Sequence, residues 1–458
     1  MTGKTTTMCA SMANFLQGRE GNGLVIATAY TNAAVVQIAE TLDKFIQYKK
    51  YVRIIRFASV KQSGKTPFDV HELIMKHVVN LPNLTPKEKT WVDSFVRVYQ
   101  CVKKRLKTTK KNRVNYAEQM EVCAFETRRL ISLLLSVYRP SVICCTLSSL
   151  LNITKSNDRF INYVNTMKHK TIWVDESSQV PAKAILVLSA IFPSATQRYV
   201  GDPRQLPPYC ERDWKPIKGI SSLLIHRPLI PRLTLRLCRR MHPSITDMVS
   251  YLFYEGTLKA AVLPIERSLF SQFAFPRENV PIELVNVNGY SEKRGTWVAV
   301  LPIERSLFSQ FAFDKKGVPI QIINIKGEST KVGTSSINNA EATESIRLAK
   351  RIMKDGKTKA DQICIICFYK AQLELLEKKK LPYTFMTVDS VQGKEYAVVI
   401  LLTTRTDGAG DFISDKKRVN VAMSRAREAI FILGHHSYLA SLRLWKKCID
   451  YAKKEGIM

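Results

Sequence analysis

The segment NGLVIATAYTNAAVVQIAETLDKFIQYKKYVRIIRFA, residues 22–58, decides the predicted fold. It begins with a continuous apolar run, which is typical of a strand buried on both faces, and continues as an amphipathic helix. The segment ends with a second apolar run, which predicts a second strand. The preceding MTGKTTTMCASMANFLQ (1–17) has a helical pattern. Helices that alternate with buried strands predict an α/β domain built on a parallel sheet.

The same alternation resumes after residue 137. Further strands are predicted within SVICCTLSSLL (141–151), TIWVDESSQ (171–179), QRYVGDPRQLPP (197–208), DQICIICFYK (361–370), YTFMTVDS (383–390), YAVVILLTT (396–404) and AIFILGH (429–435). The residues between 61 and 137 are polar and helical in pattern, which predicts an insertion. We therefore expect one α/β domain over 1–60 and 138–232, a basic helical insertion at 61–137, and a second α/β domain at 233–458.

The charge of the chain is strongly unbalanced. Its 458 residues include 70 Lys and Arg against 39 Asp and Glu, a formal net charge of +31. This excess predicts a polyanionic partner such as nucleic acid, because solubility alone is served by a smaller imbalance. The basic cluster VKKRLKTTKKNR at 102–113 fits either a nucleic-acid contact or a solvated helix face.

The ten cysteines are scattered along the chain. The one C-x-x-C pair, Cys364 and Cys367, falls inside an apolar run without a second ligand pair at zinc-finger spacing, so it predicts buried thiols. This usage indicates a reducing compartment. Because the sequence has neither a secretory h-region nor 18 consecutive apolar residues, we expect an intracellular protein of the cytoplasm or nucleus.

A repeated segment interrupts the second predicted domain. Residues 261–275 and 299–313 are the same fifteen letters, AVLPIERSLFSQFAF, and the likeness extends over 261–290 and 299–327. Two copies are too few for a solenoid, so the pattern indicates a local duplication. Because one sheet position holds one strand, we expect one copy to be a spare loop. The second copy, which leads into the helical pattern SSINNAEATESIRLAKRI (335–352), is expected to supply the strand.

The first residues resemble the end of a phosphate-binding loop. Gly3, Lys4 and Thr5 match the last three fixed positions of G-x-x-x-x-G-K-[ST], where the lysine neutralises phosphates and the hydroxyl binds Mg²⁺. The first glycine of that pattern, and the strand before it, would precede Met1. We therefore expect a chain truncated through its phosphate loop, a gap at the centre of the first sheet, and weak binding of ATP.

Two acidic residues and a glutamine follow predicted strands. Asp175 and Glu176 end an apolar strand, and ligands bind at the carboxyl edge of α/β sheets. Asp175 is suited to holding Mg²⁺, and Glu176 to orienting and deprotonating an attacking water. Gln205, in the proline-stiffened VGDPRQLPP (200–208), is suited to contacting both a γ-phosphate and that water.

Six ordered motifs together resemble the superfamily 1 helicases, particularly the branch of the nonsense-mediated-decay helicase and senataxin. They are TGKT (2–5), DESS (175–178), GDPRQLPP (201–208), RRMHP (239–243), VDSVQGKE (388–395) and RVNVAMSRAR (418–427). The resemblance covers nearly the whole chain apart from the insertion and the duplication. It implies two RecA-like domains of a P-loop NTPase, use of ATP with Mg²⁺, and 5′ to 3′ movement on RNA or single-stranded DNA. We expect a monomer.

The resemblance also implies roles for individual residues. Arg240 and Arg425 correspond to two arginines that contact the γ-phosphate. The residues of VQGKE that link the nucleotide to the nucleic-acid channel are Gln392, Gly393 and Glu395. In TAYTNAAVVQ (28–37), the residues that contact the nucleic-acid backbone are Thr31 and Asn32. TLSS (146–149) and YKAQ (369–372) match either weaker channel motifs or ordinary strand-end residues.

Several positions depart from the family pattern. Arg239 replaces the tyrosine that stacks on adenine, and a guanidinium can also stack on a ring. Val391 replaces an aromatic residue, and Ser424 replaces a threonine. His242 is expected to be structural, because no acid or nucleophile motif accompanies it. The incomplete phosphate loop leaves a second hypothesis open, a catalytically impaired remnant that binds nucleic acid.

Overall fold

The computed structural model describes residues 2–46, 52–106, 113–208, 233–267, 320–354, 358–410 and 412–455. These residues fold into two compact units. The first unit comprises Lys4–Pro203 and Pro207–Pro231, and the second comprises Met1–Gly3, Arg204–Leu206 and Arg232–Met458. The predicted domain boundary near 233 adjoins residues 209–232, which lie outside the described residues, so that boundary stays a prediction.

The first unit is a parallel sheet with helices, as predicted. Its strands are β1 (Gly23–Ala29), β2 (Ile54–Phe57), β3 (Val142–Thr146), β4 (His169–Asp175) and β5 (Thr196–Tyr199). Its described helices are α1 (Lys4–Leu16), α2 (Asn32–Ile46), α3 (Val70–His77), α4 (Pro86–Leu106), α5 (Arg113–Tyr138), α6 (Leu147–Ser156), α7 (Asp158–Thr166) and α8 (Ala182–Ile191).

The sheet of the first unit is continuous across its centre. Its strands pair in the order β2-β3-β1-β4-β5, and all the pairs are parallel. Val25 of β1 lies opposite Val142 of β3 on one side and Thr171 of β4 on the other. Side chains alternate between the two faces, so Ile26 joins one hydrophobic cluster while Val25 and Ala27 join the other. The expected central gap is therefore wrong for the described strands.

The segment predicted as a helical insertion contains α3, α4 and α5. His71 and Phe95 both stack on Tyr99, with ring centroids 5.4 and 5.3 Å away. Beside this aromatic stack, the fully buried Arg56 of β2 pairs with the equally buried Asp69, Nε to Oδ1 at 2.5 Å. Half of the basic cluster, residues 107–112, lies outside the described residues, so neither interpretation of that cluster is tested.

The second unit is built on its own parallel sheet, in the order β12-β11-β13-β14-β8. These strands are β8 (Ile320–Asn324), β11 (Ile363–Cys367), β12 (Thr384–Thr387), β13 (Tyr396–Leu402) and β14 (Ala426–Gly434). Shorter strands form a parallel pair, β6 (Leu237–Cys238) with β7 (Lys259–Ala260), and a hairpin, β9 (Thr330–Val332) with β10 (Ser335–Ile337). The described helices are α9 (Pro243–Phe253), α10 (Asn339–Met353), α11 (Lys370–Glu377), α12 (Lys416–Met423), α13 (His436–Ser441) and α14 (Arg443–Lys454).

Strand β11 of the second unit confirms the expectation of buried thiols. Every residue of β11 is buried, including both thiols of the C-x-x-C pair, Cys364 and Cys367. Burial raises the pKa of Cys364 to about 12, so this thiol stays protonated. Among the helices of the described residues, none combines the length and hydrophobicity needed to cross a bilayer.

The second copy of the duplicated segment supplies a sheet strand, as predicted. Its residues Ile320–Asn324 form β8, with Ile322 opposite Ile432 of β14. Gln321, also in β8, is buried, whereas the first copy carries Glu283 at the corresponding position. A carboxylate is far more costly to bury than an amide, which favours the second copy for this position. The corresponding residues of the first copy, 280–289, lie outside the described residues.

Excising residues 268–305 is expected to leave the second unit folded and slightly more stable. The excision joins Arg267 to Ser306 and restores a single AVLPIERSLFSQFAF. It also shortens the connection between Arg267 and Ile320 from 52 to 14 residues. The lower loop-closure entropy should raise the free energy of unfolding by about 1 kcal/mol, measured by denaturant titration.

Excision of residues 290–327 provides a control of the same length. This variant joins the first copy to Glu328, so that Glu283 takes the place of Gln321 in the strand. We expect it to be less stable than the first excision by about 2 kcal/mol or more, because it buries a carboxyl group. Equal stability of the two variants would contradict this account of β8.

Candidate nucleotide site

The start of α1 brings together the three residues predicted to bind phosphate. Gly3 has a left-handed backbone with φ of 72°, and α1 begins at the next residue, Lys4. The N–H groups of a first helical turn point away from the helix and are available to an anion. Thr5 Oγ1 donates a hydrogen bond to Asp175 Oδ2 at 3.0 Å. The phosphate-loop segment and the end of β4 are therefore adjacent.

Asp175 ends β4 at the carboxyl edge of the first sheet and is buried. Burial, followed by the neighbouring charge of Glu176, raises its pKa to about 6, although Lys4 and Thr5 act in the opposite direction. A buried carboxyl group with a raised pKa is costly to keep ionised without a cation beside it. This environment is suited to a metal ligand.

Glu176 has a left-handed backbone with φ of 50°, which is uncommon for a residue other than glycine. Its N–H donates to Asp175 Oδ1 at 2.8 Å. Such strain is found at functional sites, where the surrounding structure holds a side chain in one direction. The strained turn therefore supports a functional role for Glu176.

Thr5 and Asp175 also fit the oxygen preference of Mg²⁺. In the described parts of the chain, His, Cys, Asp and Glu side chains form no cluster of three that could hold a metal ion. Mg²⁺ commonly takes only one or two protein oxygens and completes its shell with water and substrate phosphates. The adjacent hydroxyl and carboxylate oxygens of Thr5 and Asp175 meet that requirement.

Gly201 of the GDPRQLPP motif lies against the turn that follows β4. A Cβ atom at this position would lie 2.6 Å from Ser177 Oγ and 3.0 Å from the backbone nitrogen of Ser178. The Ser177 N–H donates to the carbonyl of Val200 at 2.9 Å. Glycine is required by this close approach, which packs the DESS and GDPRQLPP motifs together.

Shortly after Gly201, the chain passes from the first unit to the second. Gln205 is buried, and Arg204–Leu206 groups with the second unit. Arg204 donates to the carbonyl of Phe253 at 2.8 Å, and its own carbonyl accepts from Asn420 Nδ2 at 2.8 Å. Arg204 could not be identified from its motif alone, because its contacts are with residues far along the chain.

Arg240 and Glu395, two of the predicted site residues, are brought together in the second unit. Arg240 Nε lies 2.5 Å from Glu395 Oε2, and its Nη1 donates to the carbonyl of Ser424 at 3.2 Å. Arg267, from the duplicated segment, donates to the backbone carbonyls of Arg239 and Arg240 at 2.8 and 2.9 Å. No motif identifies Arg267 in advance, because it lies in the repeated segment.

Arg425 is buried within the second unit. Its guanidinium donates to the carbonyls of Val421 and Lys394 at 2.9 and 3.1 Å, and to Ser424 Oγ at 2.9 Å. The family's threonine at 424 is thus replaced by a residue that still supplies a hydroxyl. The prediction that Arg425 contacts a γ-phosphate stays a prediction, and such a contact would exchange some of these hydrogen bonds.

The VQGKE motif forms a tight turn after β12. Val391 and Gln392 are buried, and Gly393 has a left-handed backbone with φ of 82°. Burial of Val391 explains why this position accepts an aliphatic side chain. His242 is structural, as expected, because its Nδ1 accepts from the N–H of Ser244 at the start of α9. Burial lowers the pKa of His242 to about 4, which keeps the imidazole neutral.

The predicted nucleic-acid contacts lie at the carboxyl end of β1. Thr31 caps α2, with its Oγ1 accepting from the N–H of Ala34 at 3.2 Å, and Asn32 is the first residue of that helix. Tyr30, which the sequence analysis did not single out, is exposed beside them. An exposed ring next to a helix N-terminus could have been noticed from its position directly after a buried strand.

The motifs TLSS and YKAQ, for which two interpretations were open, make hydrogen bonds within the protein. Thr146, in TLSS, caps α6 by accepting from the N–H of Ser149 at 3.2 Å. Gln372, in YKAQ, is buried and exchanges hydrogen bonds with the backbone of Asn338, at 2.7 and 3.0 Å. Both residues therefore stabilise the fold, and whether they also contact nucleic acid stays a prediction.

Comparisons with known proteins agree with the fold and the motifs. A sequence model described as an AAA domain matches residues 223–437. The regulator of nonsense transcripts 1 homolog of Arabidopsis thaliana is 25% identical over 476 residues, covering 99% of this chain and 32% of that protein. The ATP-dependent helicase NAM7 of Saccharomyces cerevisiae is 24% identical over 403 residues, covering 82% and 36%. The chain thus spans about a third of the length of these relatives.

A solved arterivirus nonstructural protein 10 (helicase) with DNA is 12% identical, covers 96% of this chain and 60% of that one, and gives a TM-score of 0.38. The two parallel sheets and the ordered motifs define a P-loop NTPase with two RecA-like domains. The chain is therefore similar to the superfamily 1 helicases, in the branch of the nonsense-mediated-decay helicase and senataxin.

Proposed function

We propose that this chain is an ATP-dependent helicase or translocase that hydrolyses ATP while bound to RNA or single-stranded DNA. The observation that carries the proposal is the contact between the Thr5 hydroxyl and the Asp175 carboxylate at the carboxyl edge of the sheet. Glu176 follows directly, on a strained turn. A metal-binding pair beside a candidate base is the arrangement that metal-assisted phosphoryl transfer to water requires.

In this proposal each of these residues has one task. Lys4 and the N–H groups of α1 neutralise the phosphates, and Thr5 and Asp175 hold Mg²⁺. When bound, Mg²⁺ would draw electron density from the phosphate oxygens and so favour attack by water. Glu176 orients that water and accepts its proton. The Gln205 amide contacts the water and the γ-phosphate.

The second unit would supply positive charge and base recognition. Arg240 and Arg425 offset the negative charge that develops on the γ-phosphate, and a fixed guanidinium suits that role. The salt bridge to Glu395 holds Arg240 in one orientation, which supports the assignment. Arg239 is proposed to stack on the adenine, and the Gln392–Gly393 turn to connect the nucleotide with the bound strand.

Nucleic acid is proposed as the partner because of charge and exposed side chains. The net charge of +31 favours a polyanion, and Tyr30, Thr31 and Asn32 offer a ring and polar groups at one strand end. One relative, from Mus musculus, is named a 5′-3′ DNA helicase and is 28% identical over 308 residues, 63% of this chain and 14% of that protein. Movement in the 5′ to 3′ direction is therefore part of the proposal. The free thiols of the described cysteines support an intracellular location.

The test is release of phosphate from ATP with and without single-stranded RNA or DNA. We expect nucleic acid to stimulate release by the full chain, and Glu176→Gln to lower the stimulated rate by about 10²- to 10⁴-fold. ATP binding should persist in this variant, since the substitution leaves Lys4, Thr5 and Asp175 in place.

Two outcomes would count against the proposal. Binding of nucleic acid without any stimulated phosphate release would favour the impaired remnant instead. Equal rates for the unmodified chain and Glu176→Gln would remove Glu176 from the reaction.

A further inference from the structure

Thr404 occupies an unusual position directly after β13. Its backbone is left-handed, with φ of 67°, which is unfavourable for a β-branched residue. The residue is fully buried, and its Oγ1 has no hydrogen-bond partner among the described residues. Both features cost free energy, so the surrounding structure must hold Thr404 in place.

Two buried side chains hold the backbone of Thr404. Its N–H donates to both carboxyl oxygens of Glu341, at 3.0 Å to Oε1 and 2.8 Å to Oε2. Its carbonyl accepts from Asn338 Nδ2 at 3.3 Å. Asn338 is fixed in turn by Gln372 through the hydrogen bonds described above. The peptide groups on both sides of the strained residue are therefore bound by polar side chains.

Glu341 is a costly residue to place here. It is the third residue of α10 and is completely buried, and burial raises its pKa to about 8 despite the hydrogen bonds it accepts. An apolar side chain would pack against this sheet at less cost. Asn338 already caps the helix by accepting from the Glu341 N–H at 3.0 Å, so the carboxyl group is not needed as a cap.

The segment that Thr404 leads into lies at the carboxyl edge of the second sheet, where parallel sheets bind ligands. Arg405 follows, half-buried, with Nη2 3.2 Å from Asp407 Oδ1. The Thr406 hydroxyl lies 3.2 Å from Ser329 Oγ. A guanidinium and hydroxyl groups are the donors that contact phosphodiester oxygens.

We propose that Glu341 is a positioning residue, which holds Thr404 in its left-handed conformation and so fixes Arg405 and Thr406 for contact with the nucleic-acid backbone. This inference rests on the proposed binding of nucleic acid. Glu341 itself touches neither nucleic acid nor nucleotide. Besides a bond of 3.4 Å from the Thr403 hydroxyl, it binds the peptide N–H of Thr404, so its effect should depend on the conformational preference of residue 404.

The test uses Glu341→Ala, Glu341→Gln, Thr404→Gly and the double variant Glu341→Ala/Thr404→Gly in the full chain. Affinity is measured by anisotropy of a fluorescein-labelled single-stranded RNA. Loss of the bonds to Thr404 in Glu341→Ala should weaken binding about tenfold, whereas Glu341→Gln keeps one acceptor oxygen and should lose about threefold or less. Glycine adopts a left-handed backbone at no steric cost, so the double variant should recover most of the affinity.

Amide hydrogen exchange of peptides spanning 403–407 gives a second reading that does not need nucleic acid. Exchange should rise in Glu341→Ala and fall again in the double variant. If the unmodified chain binds no RNA, the proposed function fails, while this pattern still tests the role of Glu341. Unchanged affinity in Glu341→Ala, or no recovery in the double variant, overturns the inference. So does a double variant that fails to fold, because Glu341 would then be needed for folding as such.

Discussion

Asparagine at position 175 is expected to lower nucleic-acid-stimulated phosphate release by about 100-fold or more, because the proposed metal ligand loses its charge. The free energy of unfolding should not fall. Asp175 is buried and its pKa is raised, so its ionised form destabilises the folded protein when no cation is bound. The two measurements are phosphate release over a range of Mg²⁺ concentrations and thermal unfolding without Mg²⁺ or nucleotide.

Comparison with two other variants separates the metal ligand from the base. Asp175→Asn should require a higher Mg²⁺ concentration for half-maximal release, whereas Glu176→Gln should lower the rate without that shift. Asp158→Asn, at an exposed position in the same unit, should change neither quantity. An unchanged Mg²⁺ dependence in Asp175→Asn would remove Asp175 from the metal site.

The second large effect concerns stability. Replacing Asp69 with asparagine is expected to destabilise the first unit by about 3–5 kcal/mol, because it leaves the buried Arg56 guanidinium without its counter-ion. Both side chains are fully buried, and two of the guanidinium nitrogens, Nε and Nη2, bind Asp69 at 2.5 and 2.7 Å. Chemical denaturation followed by hydrogen exchange at β2 would measure the change.

An exposed ion pair in the same unit provides the control. Lys103 lies 2.6 Å from Glu72 but is 45% exposed, so Lys103→Gln should cost about 1 kcal/mol or less. Burial raises the pKa of Asp69, but hydrogen bonds from Arg56 and Thr66 outweigh it and hold the pKa below its ordinary value. The stabilisation is therefore complete above the ordinary pKa and is lost as the pH falls. If Asp69→Asn kept this acid dependence unchanged, the assignment to Asp69 would be wrong.

Much of the fold could be predicted because buried parallel strands leave a strong signal. The apolar runs before Asp175 and around Cys364 are β4 and β11, and their polar ends lie at the carboxyl edges of the two sheets. The order of strands could not be predicted in the same way. Parallel strands are joined through helices, so neighbours in the sheet need not be neighbours in the chain. The expected central gap was wrong for this reason.

Contacts made by residues outside any motif also escaped prediction. Arg56 stands in the apolar run IIRF, and nothing in that run identifies Asp69 as its partner. Arg267 belongs to a repeated segment, yet its guanidinium binds the backbone of the RRMHP motif. Glu341 lies in a sequence that is ordinary for the start of a helix, so nothing in it indicates a buried role. In each case the role depends on a partner that only the folded chain brings near.

The strand order of the first unit also sets the timing of its folding. β1 pairs with β3 and β4, and Gly23 of β1 lies opposite His169 of β4. The helices α3 to α5 lie between β1 and β4 in the chain. Such pairings have high contact order. The chain loses loop-closure entropy before the pairing of the strands contributes any stabilisation. During synthesis, β1 cannot pair with β4 until β4 has left the ribosome. Until then the nascent first unit keeps an unpaired strand edge, a feature that makes folding intermediates prone to aggregate.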